Sequence, residues 1–307
     1  MRVAVIDMGS NSTRLLVADV AADGLQEVER LLETTRLGAK VDQNHALGKR
    51  AMNRTRKVVN GYVERAREQS AEAILASATS AVRDSRNGEE FMRDLARECG
   101  IVTRILTGDE EARATFRGAT ALHPPTEPTA VIDVGGGSTE VVVGVGSQVL
   151  GAVSLQLGCV RATERWLGDN RVSPEQLTAA RQGIDEVLDA HLPQELARGT
   201  ATTPIAVAGT ATTLAALELK LPGYDPERID GHRVERDKIA AWIARLAPLT
   251  AAERCADYPA IVDGRGSVLI GGALVLLAVL DAMDADAYIA SESDILQGMA
   301  LGIGAPV

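Results

Sequence analysis

The hydrophobic and polar positions of this chain fall into two kinds of pattern. Short apolar runs bounded by Gly, Asp or Ser predict strands, whereas apolar residues at i, i+3 and i+4 predict helices. The stretch 48–69 shows the second pattern, with Met52, Val59 and Val63 on one face. The predicted elements of the first half are two strands around the turn at 7–13, a third strand near 26–37, helix 48–69, strand 73–78, helix 87–99, strand 101–106 and helix 108–122. Those of the second half are strands near 129–134, 139–146 and 148–155, helix 173–190, strand 204–208, helix 211–220, two shorter helices between 234 and 257, helix 266–283, strand 286–290 and a final helix.

Two helix starts carry the residues of a capping box, in which an N-cap side chain and the third helical residue bond reciprocally. These are Asn87 with Glu90 and Thr107 with Glu110. We expect helices to begin after both N-cap residues.

One segment repeats at an offset of 126 residues. Residues 5–13 read VIDMGSNST and residues 131–139 read VIDVGGGST, and LLV at 15–17 then matches VVV at 141–143. Each copy is typical of a strand, a tight turn and a second strand. The elements that follow each copy repeat as well, so both halves have the order βββαβαβα with insertions.

The alternation of strands and helices predicts an α/β fold with central sheets covered on both faces. Two such halves predict two domains with a cleft between them. The polar segment 123–128, with three prolines, is the best boundary. It gives domains 1–124 and 125–307, with the C-terminal helix expected to join the first.

Duplicated βββαβαβα halves with a phosphate turn in each resemble the sugar kinase, actin and heat-shock chaperone superfamily. The resemblance implies two actin-like (ribonuclease H-like) domains with the active site between them.

The composition narrows the classes of protein. A net charge of −10 and an aromatic content of 3% disfavour a general nucleic-acid or anionic-membrane binder. Cys99, Cys159 and Cys255 have neither disulfide nor zinc spacing, which favours a reducing cytoplasm. The first residues do not resemble a signal peptide, and the longest uncharged run, 266–280, predicts a buried helix because it is too short to span a bilayer. A small polyanion is compatible with the charge, because helix N-termini, metal ions and a few arginines create local positive sites.

The two turns are the strongest candidate phosphate sites. The first, DMGSNST at 7–13, offers consecutive backbone N–H groups, although a plain hairpin turn rich in small residues explains it equally well. The second, DVGGGSTE at 133–140, has three successive glycines, which are favoured where a ligand approaches the backbone closely. Asp133 and Glu140 flank it and are suited to hold Mg²⁺ against phosphate oxygens. Two such turns at matched positions favour a functional interpretation.

Two further segments carry candidate residues. ATSAVRD at 78–84 follows a predicted strand, so Arg83 is expected at a strand end where it can pair with a phosphate; a solvated loop arginine is the alternative. GDEEARATFRGA at 108–119 begins a helix with three acids, and the helix dipole explains them without any further role. The functional alternative makes Glu111 a general base for a water molecule.

Three other features leave two interpretations open. Gly209, between a predicted strand and helix, suits either a nucleotide or a phosphate at the helix start. The pair Gly271 and Gly272 is better explained by close packing of two elements. Arg161 and Arg165 lie four residues apart on one helix face, where a solvated face is the default and a contact with polyphosphate is the alternative.

Seven motifs, in their order and spacing, resemble the exopolyphosphatase and guanosine pentaphosphate phosphohydrolase family. They are IDMGSNS, ATSAVRD, TGDEEAR, IDVGGGSTE, LGCVR, AGTATT and SESDILQGMALG. The resemblance covers almost the whole chain but matches the two-domain catalytic part of the long members, so we expect the short form without their C-terminal helical region. We expect the absence of that region to limit processive digestion of very long chains and to leave the hydrolytic site intact.

The resemblance implies a role for each matching residue. Glu111 would be the catalytic carboxylate that orients and deprotonates water, and Arg83 would bind the substrate chain further along. Asp133 and Glu140, with help from Asp7, would hold Mg²⁺, with Mn²⁺ as a second choice. The terminal phosphates would be bound by residues of both turns, namely Gly9, Ser10, Asn11 and Ser12 of the first and Gly135, Gly136, Gly137, Ser138 and Thr139 of the second.

The resemblance implies hydrolysis of the terminal phosphoanhydride bonds of inorganic polyphosphate, which releases orthophosphate one unit at a time. Hydrolysis of guanosine pentaphosphate is the alternative, with the region around Gly209 admitting the nucleoside. A kinase of the same superfamily and a non-catalytic nucleotide sensor are weaker alternatives, because no acceptor pocket is recognisable and both Asp133 and Glu111 are present. We expect a cytoplasmic homodimer that binds neither nucleic acid nor membrane.

Overall fold

The computed structural model of the chain describes residues 1–21, 24–168, 170–198 and 202–304. The chain forms two compact units, one made of Met1–His123 with Ser293–Val307 and the other of Pro124–Glu292. It passes from the first unit to the second inside the proline-rich segment 123–128.

The first unit is built on a mixed sheet. Its described strands are β1 (Arg2–Met8), β2 (Thr13–Ala21), β3 (Gly24–Glu33), β4 (Ala73–Ala78) and β5 (Val102–Ile105). Its described helices are α1 (Val41–Asn44), α2 (Lys49–Glu68), α3 (Ser80–Arg83), α4 (Gly88–Cys99), α5 (Gly108–Thr120) and, from the end of the chain, α14 (Ile295–Gly304). The strand order is β3-β2-β1-β4-β5, in which β1 pairs antiparallel with β2 and parallel with β4.

Strand β1 contributes side chains to two cores, one on each face of this sheet. Ala4 and Ile6 belong to a cluster that includes Val59 of α2. Val3 and Val5 belong to a second cluster that includes residues of α14. Successive residues of a strand face opposite sides, which explains the division. The prediction of a sheet covered on both faces is confirmed.

The second unit repeats this arrangement. Its described strands are β6 (Thr129–Val134), β7 (Thr139–Val145), β8 (Gln148–Leu155), β9 (Ile205–Val207), β10 (Arg233–Glu235) and β11 (Ala287–Ala290). Its described helices are α6 (Cys159–Ala162), which continues into a π-helical turn (Thr163–Leu167), then α7 (Pro174–His191), α8 (Gln194–Arg198), α9 (Ala208–Glu218), α10 (Pro226–Ile229), α11 (Arg236–Leu246), α12 (Ala251–Asp257) and α13 (Leu269–Ala282). The order β10-β11-β9-β6-β7-β8 places β6 antiparallel to β7 and parallel to β9, so the predicted duplicated α/β fold is confirmed.

Helix α13 lies in the core of the second unit. Nearly all of its residues are buried, which confirms the buried helix predicted from the uncharged run 266–280. No helix in the described part of the chain is long and apolar enough to cross a membrane.

The structure confirms one predicted helix cap and corrects the other. Thr107 and Glu110 form both bonds of a capping box at the start of α5. The prediction for Asn87 was wrong, because its side chain forms no cap bond. Instead its amide accepts from the Leu47 N–H at 2.8 Å and donates to the Leu47 carbonyl at 3.1 Å. An Asn amide carries both a donor and an acceptor and can therefore satisfy both backbone groups of one residue.

Candidate functional site

The first turn, between β1 and β2, presents backbone donors that have no acceptor among the described residues. The Gly9 N–H closes the turn by donating to the Ser12 carbonyl at 3.0 Å. The carbonyls of Ser10 and Asn11 each accept at 2.7 Å from backbone N–H groups of the segment 36–38. The N–H groups of Ser10, Asn11 and Ser12 donate to no described protein atom, although the first two residues are buried. Consecutive buried amides of this kind are suited to bind an anion.

The second turn, between β6 and β7, has the same property. The carbonyls of Gly135 and Gly136 accept at 2.9 Å from the first N–H groups of α6, and Arg161 Nε donates to the Gly137 carbonyl at 2.9 Å. The N–H groups of 135–138 donate to no acceptor in the described chain. The carbonyls of this turn are therefore held from one side, and its amides are available to a ligand.

The segment 158–161 supports the second turn. A Cβ atom on Gly158 would lie 2.6 Å from the backbone of Gly136, so only glycine allows this approach. On the other side of α6, a Cβ atom on Gly271 would lie 2.8 Å from the Cys159 carbonyl, which agrees with the close-packing interpretation of the Gly271 and Gly272 pair. The default interpretation of Arg161 as part of a solvated face is wrong, because its guanidinium holds a turn carbonyl.

Two carboxylates flank the second turn. Asp133 and Glu140 are direct neighbours in the antiparallel register of β6 and β7, and both are buried. Directly opposed residues of such a pair project from the same face of the sheet. The Ser154 hydroxyl donates to Glu140 Oε1 at 2.6 Å and fixes that side chain. Like charges in this position repel each other, so a cation between them would be stabilising.

Asp7 is the penultimate residue of β1, as Asp133 is of β6, but its cross-strand neighbour is an arginine. Arg14 Nη2 donates to Asp7 Oδ2 at 2.7 Å, and Arg14 Nη1 donates to Asp294. Burial raises the pKa of Asp7 above its ordinary value, and the charge of Arg14 opposes this effect. The other oxygen, Oδ1, is buried without a hydrogen-bond partner in the described part of the chain. This atom is therefore available to water or to a cation.

The three acids at the start of α5 have different environments. Asp109 is exposed and accepts from Arg113 at 2.7 Å, and Glu110 forms the helix cap. Glu111 is only 7% exposed, and its Oε2 accepts from Arg83 Nη1 at 2.9 Å. The helix dipole and the cap account for the first two acids, whereas they do not account for the burial of Glu111 against an arginine.

Arg83 lies at the end of α3, directly after β4, as the sequence predicts. Its Nη1 also donates to the Leu106 carbonyl at 2.9 Å, so the guanidinium is fixed by two acceptors from the loop before α5 and from α5 itself. The first unit thus brings together two residues that the sequence places 28 positions apart.

Across the described residues, no group of three or more His, Cys, Asp or Glu side chains is arranged to hold a metal ion. A bound Mg²⁺ would therefore take most of its ligands from phosphate and water, as this ion commonly does. In the first unit, the orphaned Oδ1 atom of Asp7 is a possible oxygen ligand. In the second unit, the opposed carboxylates of Asp133 and Glu140 are compatible with a cation as well.

Sequence reasoning missed Arg265, which lies against the start of α9. That helix begins at Ala208, earlier than the predicted residue 211, so Gly209 lies in its first turn. A Cβ atom on Gly209 would overlap the guanidinium of Arg265 and lie 2.9 Å from its Nε. Arg265 is 9% exposed, and its guanidinium forms no hydrogen bond and no salt bridge with a carboxylate among the described residues. A buried positive charge at a helix N-terminus is suited to an anion.

The comparison with known proteins identifies the chain's family. A model of the Ppx/GppA phosphatase family matches residues 16–303. The chain belongs to this family. The resemblance found from the seven motifs is thereby confirmed.

Three relatives of this Ppx/GppA phosphatase are similar over nearly their full length. "Exopolyphosphatase 2" of Mycobacterium tuberculosis is 37% identical over 98% of this chain and 98% of its own length. The crystal structure of an exopolyphosphatase-like protein is 36% identical with a TM-score of 0.91, and covers 99% of this chain and 97% of the other. The Ppx/GppA enzyme of Aquifex aeolicus is 30% identical with a TM-score of 0.82, over 98% and 99% of the two chains. The fold is therefore that of the family from end to end.

Proposed function

We propose that this member of the Ppx/GppA family is an exopolyphosphatase that hydrolyses the terminal phosphoanhydride bond of inorganic polyphosphate. The observation that carries the proposal is Glu111, a buried carboxylate held by Arg83 at the start of α5. The likeness to the mycobacterial exopolyphosphatase over 98% of both chains supports the choice of substrate.

In the proposed reaction, Glu111 orients a water molecule and accepts a proton from it while the water oxygen attacks the terminal phosphorus. The bridging P–O bond breaks, and its electron pair leaves with the shortened chain. The products are orthophosphate and a polyphosphate shorter by one unit. A phosphoanhydride has a good leaving group, so the protein mainly has to position the reactants and neutralise charge.

The turns supply part of that neutralisation. The proposal assigns the amides of Ser10, Asn11 and Ser12, and those of 135–138, to oxygens of the terminal phosphates. These amides are suited to the task because the carbonyls of 10–12 and 135–137 are already bonded and no described acceptor competes for the N–H groups. Gly9 and Thr139, at the edges of the turns, complete the set that the resemblance implies. Donors fixed before the reaction stabilise developing charge at little cost in reorganisation.

Asp133 and Glu140, with Asp7, would hold Mg²⁺ or Mn²⁺. Such an ion, when bound, withdraws negative charge from the phosphate oxygens. The cross-strand pair of carboxylates in β6 and β7 supports this assignment, because two buried acids in direct register favour a divalent partner. Titration of the apo protein with either ion, with phosphate release as readout, tests the metal requirement.

We assign two contacts to the guanidinium of Arg83, one with the Glu111 carboxylate and one with a phosphate of the substrate chain. Its Nη1 atom is occupied by Glu111 and by the Leu106 carbonyl, whereas its Nη2 makes no hydrogen bond in the described chain. A guanidinium carries five N–H donors, so one side can position the base while the other contacts a phosphate. Arg83→Lys should therefore raise KM and lower kcat together.

A second activity, hydrolysis of guanosine pentaphosphate, is favoured by Arg265. Its guanidinium lies across Gly209 at the start of α9 and would supply charge for a further phosphate group of the nucleotide. Arg265→Ala should then lower kcat/KM on the nucleotide more than on tripolyphosphate. Equal losses on both substrates would remove the reason for this candidate.

The experiment that tests the proposal is phosphate release from polyphosphates of defined length, beside guanosine pentaphosphate, with separation of the remaining chains by length. Stepwise loss of one unit supports the exopolyphosphatase. Transfer of phosphate from ATP to a sugar or carboxylate acceptor would indicate a kinase, and tight nucleotide binding without release would indicate a sensor. The proposal also includes a homodimer in the cytoplasm, for which sedimentation analysis of the pure protein and cell fractionation are the tests.

A further inference from the structure

The two turns differ in the residue that lies opposite their aspartate. In the second turn Asp133 faces Glu140, and in the first turn Asp7 faces Arg14 at the corresponding register position. The pair Asp133 and Glu140 carries two negative charges, whereas the opposite charges of Asp7 and Arg14 cancel. By this comparison, Asp7 alone with Arg14 would not attract a cation.

Asp294 changes the charge of the first site. It accepts from Arg14 Nη1, so the three side chains together carry one net negative charge. The contact joins residues 280 positions apart and ties α14 to β2. Asp294 is 3% exposed, and its environment therefore strengthens its electrostatic effect.

The start of α14 fixes Asp294 in place. Its Oδ1 accepts from the Leu296 N–H at 2.9 Å, and its own N–H donates to Gln297 Oε1 at 2.9 Å. One carboxylate oxygen thus caps the helix while the other binds Arg14. The capping geometry leaves Asp294 little freedom, and Arg14 is held at Asp7 Oδ2 while Oδ1 stays without a described partner.

We propose that Asp294 is a positioning residue that keeps Asp7 able to bind a divalent cation although Arg14 is paired with it. The inference rests on the proposed function, since it assumes that such an ion is used. Asp294 shares the charge of Arg14 and directs its guanidinium to one oxygen of Asp7. The other oxygen then faces a cation with a favourable net charge around it.

The test is the binding of Mn²⁺ to the full chain in the presence of inorganic phosphate and without polyphosphate, measured by calorimetry or by electron paramagnetic resonance; no binding to the unaltered protein would overturn the inference. Asp294→Asn removes the charge but keeps an oxygen that can cap α14. We expect its Kd for Mn²⁺ to rise about tenfold, the effect of one charge near a divalent ion at intermediate dielectric constant. Arg14→Gln removes the positive charge, and its Kd should fall by a similar factor. Opposite signs distinguish this electrostatic role from a loss of packing, which would weaken binding in both variants.

Asp281→Asn is the matched control. Asp281 also accepts from an arginine, Arg181, at 2.7 Å, but it belongs to α13 of the second unit. The Kd of the Asp281→Asn variant for Mn²⁺ should equal that of the unaltered protein. An unchanged Kd in Asp294→Asn, or weaker binding in both Asp294→Asn and Arg14→Gln, would overturn the inference. If Asp294→Asn does not fold, Arg14→Gln alone tests the inference: a lower Kd for Mn²⁺ supports it, and an unchanged or higher Kd overturns it.

The inference and the proposed function fail in different ways. Phosphate release by the unaltered protein together with Mn²⁺ binding that is indifferent to Asp294 would disprove the inference alone. No phosphate release with either Mg²⁺ or Mn²⁺ would disprove the proposed function.

Discussion

Two Gly→Ala substitutions on α14 should have opposite effects on stability. Gly298 faces α5, and a Cβ atom there would overlap the carbonyl group of Ala114, 2.7 Å from its carbon. Gly302 is exposed, and a Cβ atom there would meet the end of the Arg117 side chain at 2.8 Å. A flexible side chain can move away, whereas the backbone of a packed helix cannot.

The magnitudes follow from this difference. Carbon atoms in contact need about 3.5 Å between them, so Gly298→Ala must separate the two helices by about 1 Å. Overpacking of this kind costs about 1–3 kcal/mol, and the move would also loosen the buried cluster that contains Leu296 and Met299. Alanine gains about 1 kcal/mol over glycine in helix propensity. We therefore take the upper end of the overpacking cost for Gly298→Ala, subtract the gain in propensity, and expect a loss of about 2 kcal/mol, whereas Gly302→Ala should gain up to about 1 kcal/mol.

Urea denaturation measures both changes, with an unchanged slope as evidence that the midpoint reports stability. Since α5 carries Glu111, Gly298→Ala should also lower kcat on polyphosphate, because a displacement of about 1 Å can cost about a hundredfold in rate. If Gly298→Ala is as stable as the unaltered protein, or if both variants shift the midpoint in the same direction, close packing of α14 on α5 does not determine these stabilities.

Three further predictions concern single residues. Glu111→Gln should lower kcat by about 10²–10⁴-fold with little change in KM, while Glu110→Gln should leave kcat unchanged; equal losses in steady-state assays would contradict the assignment. The backbone N–H of the cap residue lowers the pKa of Glu110, so the carboxylate contributes stability above its ordinary pKa of 4.5 and loses it as the pH falls through the lowered value. The Tm difference between wild type and Glu110→Gln should therefore shrink below about pH 4; a constant difference would show that the charge is irrelevant. Gly158→Ala should raise KM for polyphosphate by displacing the second turn, and an unchanged KM would show that the turn does not bind substrate.

The sequence predicted the sheets well because local patterns specify them. Short β-branched runs bounded by Asp and Gly, together with the repeat at 126 residues, identify β1, β2, β6 and β7 without any long-range information. Helix ends were less predictable. Asn87 has the residue type of a cap, yet it bonds the backbone of Leu47, 40 positions away, and no local pattern reveals such a partner.

The candidate site was predicted only where its residues are local. The turns, Asp133 and Glu140 follow from the motifs, but the contact of Arg14 with Asp294 depends on a helix from the end of the chain. One signal was available in the sequence. Alignment of the two repeats matches Arg14 with Glu140, and this change from a negative to a positive residue indicates that position 14 has a different role. Arg265 had no such signal, because the residue it lies against, Gly209, has no side chain that could mark the contact in the sequence.

The most direct test of the central claim is hydrolysis of polyphosphate in water enriched in ¹⁸O, followed by mass analysis of the released orthophosphate. Attack of water on the terminal phosphorus predicts one ¹⁸O atom in each orthophosphate released, and a rate that falls in Glu111→Gln. Absence of the label from orthophosphate would show that water does not attack the terminal phosphorus, and equal rates in the two proteins would show that Glu111 is not the base.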